Sequence, residues 1–96
     1  MDVSDRLERW VRTRFDASNA ELVLEELRSL TTQGIGGQDP ERVQAALVVK
    51  TNGDWERFQR NLDLVRRDWR DSLVAADLAN GDWPQRLDAA LEQPQP

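Results

Sequence analysis

The 96-residue chain predicts an all-α fold: a single small domain built as an irregular bundle of about five short helices. Three observations point there. Apolar residues recur at three- and four-residue steps along most of the chain, the period of a helix and not of a strand. Helix-opening signals alternate with glycine-containing breaks. Asp-Trp occurs three times, at Asp54-Trp55, Asp68-Trp69 and Asp82-Trp83, with fourteen residues between successive pairs. The first and third pairs lie inside identical Asn-Gly-Asp-Trp tetrapeptides. In these, Asn-Gly closes one helix, Asp caps the next and Trp opens its first turn.

The first helix is expected from about Asp2 to Phe15, because Val3, Leu7, Trp10, Val11 and Phe15 form one apolar face. Asp16-Ala17-Ser18 breaks that pattern, and Ser18 with Glu21 has the spacing of a capping box. A second helix then buries Val23, Leu27 and Leu30, widened by Leu22 and Leu24, and ends near Thr32. Residues 31–38 read as the longest and most flexible loop. Its glycines, Gly34, Gly36 and Gly37, resemble a phosphate cradle only superficially. The lysine and hydroxyl residue of a phosphate-binding loop are missing, and a helix, not a strand, precedes it.

Asp39-Pro40 is a strong helix start, since proline at the first helical position loses no hydrogen bond. Val43, Ala46, Leu47 and Lys50 follow along one side. Leu47-Val48-Val49 has strand-like composition, but no second strand exists to satisfy its backbone. From Asp54 the buried face is Trp55, Phe58, Leu62 and Val65. Asp68 caps the next helix, whose face continues through Leu73, Ala76 and Ala79 to a stop at Asn80-Gly81. The last helix runs from Trp83-Pro84 through Leu87, Ala90 and Leu91. Residues 1–92 form the domain, and 93–96, Gln-Pro-Gln-Pro, a disordered tail.

Fourteen residues also equal two heptads, so a long coiled coil is the competing reading. Asn80-Gly81, Pro84 and Ser72 oppose it. A tandem repeat fails too, because solenoid units run to roughly 20–50 residues.

Composition narrows function by subtraction. The chain has no cysteine, histidine or tyrosine. Disulfides, thiolate or imidazole zinc sites and histidine-activated nucleophiles are therefore excluded. Paired carboxylates such as Glu25/Glu26 or Asp68/Asp71 lack a catalytic arrangement: adjacent helical residues diverge, and the second pair suits a helix start. No enzyme, cofactor or metal is expected. No apolar run fits a leader or a membrane span, so the expectation is a cytoplasmic protein with no membrane contact. Twelve arginines against one lysine hint at a GC-rich bacterial genome. A net charge of −5 opposes nucleic acid as a partner.

Two arginine groups qualify as local exceptions. Arg66, Arg67 and Arg70 surround Trp69, the ingredients of an anion or single-strand site. Between Asp54 and Asp71, however, five arginines face five carboxylates, which favours a salt-bridged helix junction. Arg6, Arg9, Arg12 and Arg14 interleave with Asp2, Asp5 and Glu8 and read as a solvated face. Four tryptophans exceed what one small core needs, and tryptophan is enriched at interfaces. Trp55 and Trp69 are assigned to the core, while Trp10 and Trp83, nearest the ends, have the least assured burial. The expected function is protein–protein contact, with a protein partner or by self-association. The candidate residues are Trp10, Trp83, Arg66, Arg67, Trp69 and Arg70. The alternative is an anion- or nucleic-acid-binding module using the arginines around Trp69.

Glu41-Arg42-Val43-Gln44-Ala45-Ala46-Leu47, then Gly53-Asp54, then the run from Asp68-Trp69-Arg70-Asp71 to Ala76 resembles a group of short bacterial proteins of unknown function. These share an Arg-Val-Gln start, a Gly-Asp turn and an Asp-Trp-Arg-Asp segment. The likeness covers roughly residues 41–79. It implies a small helical protein and brings no activity or site residue with it.

Overall fold

Helix starts in this chain are set by short polar side chains that accept hydrogen bonds from the first free backbone N–H groups. The computed structural model describes residues 1–31 and 33–92. The expected tail at 93–96 lies outside them. Six α-helices result, not five, with no strand among the described residues: α1 Asp5–Arg14, α2 Ala17–Ser29, α3 Pro40–Val48, α4 Trp55–Arg67, α5 Trp69–Ala75 and α6 Trp83–Glu92. None of them is long and apolar enough to cross a membrane.

α1 starts later than its apolar face suggests, because the Ser4 hydroxyl accepts from Leu7 N at 3.3 Å and fixes the cap there. α2 corrects the capping-box reading. Asp16, not Ser18, is the cap, with its Oδ1 accepting from Asn19 N at 2.8 Å. A carboxylate also interacts with the helix dipole, an advantage a serine lacks. Glu21, expected to complete the box, pairs instead with Arg12 on α1. α2 stops at Ser29, with Leu30 extended. Part of the expected flexible loop is ordered as a 3₁₀ turn, Gln33–Ile35, because Ile35 is buried in the core.

α3 begins as expected, with Asp39 Oδ1 accepting from Glu41 N at 2.9 Å and Arg42 N at 3.3 Å ahead of Pro40. Every residue from Val43 to Val48 is buried, so Leu47-Val48 belongs to a central helix. α3 packs against α1, α4, α5 and α6. Its one buried polar side chain, Gln44, donates to the carbonyls of Asp2 at 3.1 Å and Leu27 at 3.2 Å, tying the start of the chain to the end of α2.

Asp54 caps α4 through Arg57 N at 3.1 Å. Asp68 then serves two helices. Its N–H closes α4 on Leu64 O at 2.8 Å, while its Oδ1 accepts from Arg70 N at 3.0 Å to open α5. Its extended backbone, φ −157°, breaks the helix axis and disposes of the coiled-coil reading.

α5 ends five residues before Asn80-Gly81. Asp77 turns left-handed at φ 60°, Leu78 N bonds Leu73 O at 2.9 Å, and Asp77 N bonds Val74 O at 3.2 Å. This is a Schellman stop with aspartate at the usual glycine position. Burial of Leu78 favours it, and Ala79, expected in the core, is exposed.

Candidate functional site: a rim between Trp69 and Trp83

The tryptophans divide differently from the expectation. Trp10 is the buried one, at 6% exposure, because it lies on the inner stripe of α1 with Leu7 and Val11. Trp55, Trp69 and Trp83 each stand first in a helix and are only half-buried. A first-turn position at the end of a helix keeps part of a large ring at the edge of the core. Position along the chain was therefore a poor guide to burial.

Two of these half-buried indoles share one rim. Gly36 adopts φ 63° against the face of Trp69, and a Cβ built on it would stand 2.5 Å from the ring. Only glycine satisfies both the dihedral and the approach. The glycine-rich segment is thus a seat for Trp69. Two residues on, Gln38 accepts from Arg42 Nη1 at 2.8 Å. The Arg42 guanidinium also donates to Leu78 O at 2.9 Å and Ala79 O at 3.1 Å, and lies 5.0 Å from the Trp83 ring centroid. A continuous chain of contacts therefore runs from Trp69 through residues 36–42 to Trp83. Arg70 covers the Trp69 ring at 4.9 Å, so each indole carries a guanidinium.

The arginines expected to gather around Trp69 have separate engagements. Arg66 bridges to Glu26 on α2 at 3.2 Å, and Arg70 reaches Asp68 at 4.0 Å. Arg67 is exposed and has no ion-pair partner among the described residues.

Two arginines outside the expected cluster tie helices together: Arg42, quoted above only in the Arg-Val-Gln run, and Arg6, read above as part of a solvated face. Arg42 links α3 to the segment between α5 and α6. Arg6 grips Glu41 in a fork, Nε to Oε2 at 2.8 Å and Nη2 to Oε1 at 2.6 Å, and reaches Asp88 at 2.7 Å. These bonds join α1, α3 and α6. The Arg6 hydrogen bond holds the Glu41 carboxyl below its ordinary 4.5 against the opposing effect of burial, with Ser4 assisting. The same bonds push Arg6 further above its already high value. Lys50 lowers Asp77 in the same manner through a 2.5 Å contact. No local motif announces such partners, since they lie tens of residues apart in the chain.

No group of three or more acidic side chains with metal-binding geometry occurs among the described residues. Comparison with protein-family models, with curated proteins and with solved structures finds no match.

Proposed function

We propose that this protein is a non-catalytic interaction module that recognises another protein through the rim from Trp69 to Trp83. One observation supports the reading most: two half-buried indoles, each beneath a guanidinium, held on either side of a single hydrogen-bonded segment. Tryptophan and arginine are the residue types that most often dominate binding energy at protein interfaces. Arg42 is fixed by its carbonyl and glutamine bonds, so little freedom is left for that side chain to lose on association. A cytoplasmic setting fits the charged, cysteine-free composition.

The test is affinity capture from a nuclease-treated lysate of the source organism, run with the wild type and with Trp83→Ala and Arg70→Ala. A stoichiometric protein partner should be retained as salt rises and lost from both variants while their folds persist. Sedimentation of the purified chain asks separately whether that partner is a second copy. Capture unaffected by either substitution would remove the rim from the account. Binding that disappears with nuclease and falls steeply with salt would favour phosphate contacts by Arg66, Arg67 and Arg70.

A further inference from the structure

Two buried N–H donors on α1, Trp10 Nε1 and Arg14 Nε, have no hydrogen-bond partner among the described residues. Each gives up in the folded protein the bond it makes to water in the unfolded chain, and native folds keep few such groups without reason. Both side chains belong to the wall of one cleft of about 410 Å³, where α1 meets the end of α6. Arg9 and Leu91 line it as well. The Arg14 guanidinium lies 5.1 Å from the Trp10 ring centroid, so the two orphan donors sit on stacked groups.

The charges of the cleft define what would complete it. Arg6 is committed to Glu41 and Asp88. Thr13 donates its hydroxyl to Arg9 O. Arg9 and Arg14 have no ion-pair partner among the described residues, whereas Glu92 adds one carboxylate to the wall, 3.9 Å from Arg6. A single negative charge fits this balance, and a dianion would be repelled by Glu92. Leu91 offers an apolar surface for the body of the ligand.

We infer that this cleft binds a small organic monocarboxylate, its oxygens accepting from Trp10 Nε1 and Arg14 Nε with Arg9 at the mouth. The site is independent of the tryptophan rim. Binding requires a slight opening around the two donors, because both are shielded from solvent.

The probe is sodium benzoate, titrated into ¹⁵N-labelled protein, with neutral benzamide as the isosteric control. Benzoate should move the Trp10 indole and Arg14 Nε–H resonances saturably, with a Kd of roughly 1–10 mM, the range open to so small a ligand. Benzamide should not. Arg14→Gln should weaken binding roughly tenfold, the loss of one charge-assisted bond. Trp10→Phe removes the orphan donor together with part of a buried ring, so it should lower the melting temperature and, in the folded variant, weaken the benzoate-induced shift of Arg14 Nε–H. Equal shifts with benzamide would overturn the proposal. So would shifts centred away from the cleft between α1 and α6, or a Trp10 indole resonance unmoved throughout that range.

Discussion

At residues 52–55, Asn52 and Gly53 both turn left-handed, φ 53° and 80°, and Asp54 N closes the turn on Thr51 O at 3.0 Å. At residues 80–83 the same four residue types do otherwise. Neither Asn80 nor Gly81 has positive φ, and the turn closes one residue later, from Trp83 N to Asn80 O at 3.0 Å. The surroundings account for the difference. Gly53 packs on the end of α1, where a Cβ would stand 2.0 Å from Arg14 O, while Gly81 borders open space. Before the second copy, moreover, Asp77 has already made the left-handed step that ends α5. The aspartates diverge in turn: Asp54 caps α4, and the Asp82 carboxylate pairs with Arg86 at 2.8 Å. So do the tryptophans. Trp55 stacks at 5.6 Å on Phe58, which meets Phe15 edge-on, whereas Trp83 lies under Arg42 on the rim. One tetrapeptide sets its tryptophan against core phenylalanines and its twin sets one beneath Arg42, and tertiary contact makes the choice.

The largest effect should separate the glycines. Gly53→Ala combines a strained dihedral with a backbone clash and should lose at least about 3 kcal/mol in chemical denaturation. Gly81→Ala should stay within about 0.5 kcal/mol of wild type. Equal losses would mean that the second turn is held as tightly as the first. Next come the tryptophans. Trp55→Ala should cost roughly 2–3 kcal/mol, below the range for a fully buried ring, and Trp83→Ala clearly less. The reverse order would place Trp83 in the core and take it away from the rim.

The caps differ by a smaller margin. Asp54→Ala should lose about 1 kcal/mol as a cap, and Asp82→Ala only a few tenths, as one end of an exposed ion pair. Outside the tetrapeptides, Glu41 provides a check in acid. Its carboxyl is depressed in the folded chain, so its contribution is complete above 4.5 and is lost as pH falls through the lower folded value. Melting temperature should therefore fall more steeply below that point in the wild type than in Glu41→Gln. Parallel curves would separate Arg6–Glu41 from acid stability.

Much of the fold was legible because its signals are local. The apolar stripes of α1 and α4 and the caps at Asp39, Asp54 and Asp68 are fixed by residues within one or two turns. Errors arose where a distant contact chose between two acceptable local answers. Burial of Leu78 moved the end of α5 away from Asn80-Gly81, and Trp69 gave Gly36 its purpose. The candidate surface was half legible. Trp69, Trp83 and Arg70 were named as candidates from sequence, but the contact of Arg42 with Trp83 and with the carbonyls of Leu78 and Ala79 spans tens of residues and has no local signal. Trp10, whose burial was left least assured, is buried, since its helix, not its distance from the chain end, sets its surroundings.

The most direct measurement compares the backbone of the two asparagines in solution, through the intraresidue amide-to-Hα nuclear Overhauser effect, which is strong where φ is positive. Asn52 and Asp77 should show the strong signal and Asn80 should not. A strong signal at Asn80 as well would mean that the tetrapeptide dictates its own turn, contradicting the claim that its surroundings decide.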